Sequence, residues 1–119
     1  MLPCKKVKIG WKTLSIEPFE NLNTEEGIDG DISWRKARLR YDPQGDVLGT
    51  LIHEISHGVH EFIKMHFEDF ARISEEDKIL IFENKIRQFI GDNPELCLWL
   101  LECAKNEARN SSQGSQGTS

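Results

Sequence analysis

Residues 46–64 constrain this chain more than any other stretch. Leu48, Leu51, Ile52, Ile55, Val59, Phe62 and Ile63 recur at spacings of three and four, the pattern of one helix face. The pattern predicts a helix from about Asp46 to about Lys64, whose stripe must be covered by other elements. At about 100° per residue, His53 and His57 fall opposite that stripe. One face is built to pack and the other is left to present imidazoles.

The flanking segments suggest what does the covering. Residues 7–16 alternate well enough for a strand, which Pro18 should end. Asn21 to Asp31 is rich in Asn, Glu, Gly and Asp and reads as a loop. Residues 32–41 read as a second strand, with Ala37, Leu39 and Tyr41 on one face and Lys36, Arg38 and Arg40 on the other. Asp42-Pro43-Gln44-Gly45 is a turn signal. After the first helix, Ser74 reads as an N-cap, with Glu75, Glu76 and Asp77 in the first turn. That second helix runs to about Ile90 on the face Ile79, Phe82, Ile86, Phe89 and Ile90. Pro94 opens a third, Glu95 to about Lys105. The order is two or three strands followed by three helices. It predicts an α+β fold with a short antiparallel sheet on one side of a helical layer. Residues 1–105 form a single domain in this reading. The Ser, Gln, Gly and Asn-rich stretch 106–119 reads as a disordered tail.

The chemistry lies in His53-Glu54-Ile55-Ser56-His57. Helix residues four apart share a face, so the two imidazoles can meet one metal ion, and zinc is the ion such a pair suits. Glu54 stands beside them as a candidate general base, placed to take a proton from an attacking water. Histidines satisfied within a core would sit on the apolar side, and these do not. His60 shares their face, but seven residues of helix rise is ~10.5 Å, too far to share the ion with His53. His60 therefore reads as a supporting or surface group, and His66 as exposed. Tyr41 and His60 are the candidates for stabilising an oxyanion.

A third ligand is needed. The extended metzincin pattern fails, because His60 stands at its Gly position and Ile63 at its last His position. The remaining common solution is a glutamate on the following helix. Glu76 follows His57 after 18 intervening residues and falls at the edge of the apolar face. Glu83 is the second choice, as a ligand or as the partner of a ligating histidine. Glu75 is the third. Acids in a helix's first turn also compensate its dipole, which accounts for Glu75 and Glu76 without any metal.

Residues 36–57, from Lys-Ala-Arg-Leu-Arg-Tyr-Asp-Pro to Leu-Gly-Thr-Leu-Ile-His-Glu-Ile-Ser-His, resemble the strand, turn and active helix of small phage and bacterial zinc peptidases. The likeness is to the ImmA/IrrE-type enzymes and minimal gluzincins, and it extends over residues 7 to about 100. Where that family's second helix reads E-x-x-A-N-x-F-A, this chain has Glu76, Ile79, Leu80 and Phe82. The Phe matches; the Ala and Asn do not. The resemblance implies a minimal zincin-like fold with one Zn²⁺ and a peptide or protein substrate laid along an edge strand. The strand around Lys36–Tyr41 is the candidate edge. It implies a zinc endopeptidase in a bacterial cytoplasm, phage or prophage encoded. The alternative is a catalytically silent, zinc-stabilised binding protein on the same fold.

Composition narrows the rest. With 119 residues the chain holds one modest core. Its 20 acidic against 15 basic residues, net −5, argue against a general nucleic-acid binder. No apolar run approaches the ~20 residues of a membrane span, and the first residues lack the apolar core of a secretory signal. Cys4, Cys97 and Cys103 form no C-x-x-C pair and read as reduced thiols, the last two as small core residues.

Overall fold

The computed structural model describes residues 2–67 and 69–118, with side chains described through Ser111. The elements are β1 (Lys6–Ile9), β2 (Lys12–Pro18), α1 (Leu22–Glu26), β3 (Gly30–Ser33), β4 (Arg38–Tyr41), α2 (Val47–His66), α3 (Glu75–Asp92) and α4 (Pro94–Thr118). The fold is α+β: among the described residues, one four-stranded sheet and four α-helices.

The sheet order is β1-β2-β4-β3. β1–β2 and β4–β3 pair antiparallel, but β2 and β4 run parallel. The expected antiparallel sheet is therefore a mixed one. Parallel neighbours need a crossover. Here α1 and β3 supply it; α1 lies in the segment whose Asn, Glu, Gly and Asp content reads as loop, and Asn21 and Gly27 bracket it in left-handed conformations.

Each strand expected from the sequence is in fact a hairpin. At the first, Gly10 adopts φ 63° above the Phe62 ring, where any Cβ would overlap that ring. At the second, Trp34–Ala37 turns, with the Ala37 N–H donating to the Trp34 carbonyl at 3.2 Å. The second hairpin makes β4 an interior strand, so the segment Lys36–Tyr41 is not the sheet's edge. Nor is its basic face simply solvated. Arg40 is 8% exposed, because its guanidinium donates to Asp31 on β3 and to Glu26 of α1. The open edge is β3.

The other edge is partly closed. The Asn93 side chain accepts from the Lys8 backbone N–H at 2.7 Å and donates to the Lys8 carbonyl at 2.8 Å, covering β1 at that residue.

One sheet face carries Val7, Ile9, Leu14, Ile16 and Leu39, packed on Leu51, Ile55 and Phe62 of α2 and on Leu96 of α4. The start of α2 is set by Asp46, whose carboxylate accepts from the Gly49 N–H at 3.0 Å. The start of α3 is set by Ser74, whose hydroxyl accepts from the Asp77 N–H at 3.2 Å. The buried stripe of α2 is rotated from the expected one. Ile52 is 49% exposed, while Glu54 and Gly58 are buried. The cause is close packing at Gly58, whose missing side chain makes room for the tips of Ile9 and Ile32. α3 has no buried residue. α4 continues as helix beyond Lys105 through Thr118, where the sequence leads one to expect a disordered tail. Ala104, Lys105, Glu107, Ala108 and Arg109 are strong helix formers with no proline among them. Side chains from Ala104 to Ser111 are exposed. Cys97 and Cys103 are half-buried rather than core. Among the described residues no helix is long and apolar enough to cross a membrane.

The Arg40 pair gives a pH dependence. The hydrogen bond from Arg40 holds the Asp31 carboxyl below its usual range, with the nearby positive charge adding to it. A depressed folded value stabilises above the unfolded value near ~3.9 and is lost as pH falls through the folded one. Asp31 is 39% exposed, so the contribution is below about 1 kcal/mol. Asp31→Asn should flatten the loss of stability between about pH 4.5 and pH 3 relative to the parent, read from urea midpoints. Parallel curves would assign Asp31 no part in it.

Candidate metal and catalytic site

α2 places His53 and His57 on its exposed face, one turn apart. Their Nε2 atoms are 3.1 Å from each other, with the rings nearly perpendicular. Two nitrogens bound at ~2.0–2.1 Å to one tetrahedral ion stand roughly 3.3 Å apart. The spacing suits two ligands of one zinc, and both donors are of the type zinc takes. It is also the spacing of a hydrogen bond between a protonated and an unprotonated ring nitrogen.

Glu54 is only 9% exposed. It is wedged where β3 crosses α2. A methyl group on Gly30 would stand 2.5 Å from Thr50 Cγ2, 2.7 Å from the Arg40 carbonyl and 3.6 Å from Glu54 Cγ. Only glycine lets the edge strand approach the helix this closely, and the approach covers the Glu54 stem.

Two clefts meet at Glu54. One, of about 520 Å³, is lined by Ile32, Trp34, Arg35, His57 and His60. The other, of about 500 Å³, is lined by Asp29, Gly30, Asp46, Thr50 and His53. Both have β3 along one wall and α2 along the other. Together they follow the open edge strand, with Glu54 between them, His53 on one side and His57 on the other.

The remaining candidates are placed as follows. Glu75 and Glu76 are exposed in the first turn of α3. Glu83 pairs with Arg87 at 3.0 Å. Among the described residues no three His, Cys, Asp or Glu side chains gather as a metal-holding group. α3 instead faces α2 through Phe82, Ile86 and Phe89, opposite Ile55 and Val59. His60 stacks edge-on near Phe70 and lines the first cleft. His66 Nδ1 lies 3.0 Å from the Phe62 carbonyl. Tyr41 is buried on another side, in a groove with Ile16, Val47 and Trp99; burial pushes its hydroxyl pKa up. That location removes Tyr41 as an oxyanion donor.

Sequence reasoning did not single out Gly30, Ile32, Trp34 or Arg35. The available signal was the shift in apolar parity from Ile32 to Leu39 and Tyr41, which marks a turn and a separate edge strand. No family model, curated protein or solved structure matches the chain.

Proposed function

We propose that this protein is a zinc-dependent endopeptidase. One observation carries the reading: the His53 and His57 Nε2 atoms converge to 3.1 Å beside a buried Glu54, midway along clefts bordered by an open strand edge. His53 and His57 would hold the ion. Glu76 is proposed as third ligand on its spacing from His57 alone; it stands exposed at the start of α3 and does not join the pair in this structure. When bound, zinc supplies a Lewis acid for the scissile carbonyl and lowers the pKa of water. Glu54 takes the proton from the attacking water and delivers it to the leaving amine nitrogen. β3 offers its unpaired backbone groups to an extended peptide, which aligns the chain past Glu54. His60, on the cleft wall, is the remaining side-chain candidate for the oxyanion.

The test is metal content together with turnover. Purified protein should hold about one zinc per chain and cleave a peptide library. A chelator should stop cleavage and added zinc restore it. His57→Ala should weaken zinc binding at least about a hundredfold, since even a group supporting a ligand is worth 10–100-fold. Cleavage that persists in fully metal-free protein would overturn the proposal.

The second reading is a zinc-stabilised binding protein without turnover, of phage or prophage origin. Zinc that raises the melting temperature while the library stays intact would select it.

A further inference from the structure

The clefts differ in charge along their length. β2 and β4 run parallel, so the turns that precede them lie at the same end of the sheet. Trp11 and Trp34, one from each turn, meet edge to face at 6.3 Å. Lys8, Lys12, Arg35, Lys36 and Arg38 lie within or next to these turns along the chain, and residues 7–16 and 32–39 contain no acid; of the five, Arg35 lines the cleft. This is a concentrated positive end on a chain of net charge −5. Trp34 and Arg35 also line the cleft that holds His57 and Glu54. Glu61, on the same wall, lies 3.9 Å from Lys64, and Asp31 is engaged by Arg40.

A second, independent observation concerns hydrogen bonding. Among the described residues two buried side-chain N–H groups have no partner, Trp34 Nε1 and Arg38 Nε. Both are donors: Trp34 belongs to the second turn and lines the cleft, while Arg38 opens β4 just after it. Buried donors without acceptors are uncommon and point to a missing acceptor. At the opposite end of β3 the cleft carries Asp29 and Asp46.

We propose that this groove selects a charge-polarised peptide, with acidic residues lying over Trp34–Lys36 and neutral or basic residues toward Asp29 and Asp46. Carboxylates supply the negative charge that complements this end of the cleft. A nucleic acid would supply negative charge too, but its uniform charge would meet Asp29, Asp46 and Glu54 along the same groove. The inference rests on the peptidase reading only in taking the peptide to follow β3.

The experiment uses the full chain carrying Glu54→Gln, loaded with zinc, so that binding is read without turnover. The probes are three fluorescent decapeptides of matched apolar content: acidic then basic, basic then acidic, and neutral. One of the two polarised peptides should bind at least about tenfold tighter than the neutral one and weaken as salt rises. Its reversed counterpart should not. Adding Arg35→Glu and Lys36→Glu, both at exposed positions, should abolish the preference, with circular dichroism unchanged. Equal binding of all three peptides would overturn the proposal, as would a preference surviving the double reversal. Tighter binding of an oligothymidylate than of either polarised peptide would also overturn it. Cleavage by the parent protein is scored separately. Cleavage without charge preference leaves the peptidase reading and removes this one. Polarised binding without cleavage does the reverse.

Discussion

Glu54→Gln should lower kcat/KM roughly 10²–10⁴-fold while leaving zinc content at about one per chain. The two effects separate because Glu54 is not assigned as a ligand. Its carboxylate, reached between the His53 and His57 sides of the groove, is assigned a proton rather than an ion. Gln keeps the shape and fills the space beneath Gly30, where the stem is packed. It has no basic oxygen at neutral pH. A melting temperature within a degree or two of the parent would show that packing is preserved, so that lost turnover reports chemistry. Retained turnover at parental rates would remove Glu54 from the mechanism. Lost zinc would make it a ligand instead.

The second large effect concerns stability. Leu51 is fully buried, at the centre of the contact between α2 and the sheet. Leu51→Ala removes apolar contacts and leaves a cavity that packed neighbours cannot fully close, at a cost of about 2–5 kcal/mol. At roughly 3–6 °C per kcal/mol for a domain near this size, the melting temperature should fall by on the order of 10–20 °C. Ile52→Ala is the internal control. Periodicity alone places Ile52 on the same stripe, yet it is 49% exposed, so its truncation should cost under about 1 kcal/mol. Equal losses for the two would mean that α2 sits on the sheet rotated from the orientation described here.

That contrast shows what could be read from the chain and what could not. Helices α2 and α3 were legible because their signals are local, whereas α1 and the far half of α4 were not. Asp46 and Ser74 cap α2 and α3 where the sequence places them, and the histidine pair follows from helical spacing. The hairpins were missed because apolar residues alternate on both sides of each turn. The clue is a change of parity, from Val7 and Ile9 to Leu14 and Ile16, and from Ile32 to Leu39 and Tyr41. Each change requires an odd step, which a continuous strand buried on one face does not allow. The parallel pairing of β2 with β4 is nonlocal and has no periodic signature. The burial of Arg40 has no local signature, because its partners Asp31 and Glu26 lie in segments whose placement depends on that topology. The burial of Glu54 has the same origin, since it depends on how closely β3 crosses α2 at Gly30. The third ligand stayed a matter of spacing, because helix α3 turns Phe82, Ile86 and Phe89 toward α2 while Glu76 stays exposed.

The side chain of Asn93 has a consequence for self-association. By satisfying both backbone groups of Lys8, one amide stands in for a neighbouring strand on the short edge β1. Growth of a sheet from molecule to molecule needs two receptive edges, one to give and one to take. With β1 blocked at Lys8 and β3 open, a strand added to one copy finds no matching site for the next. The open β3 edge beside Glu54 is thus left unmatched by a second receptive edge at Lys8.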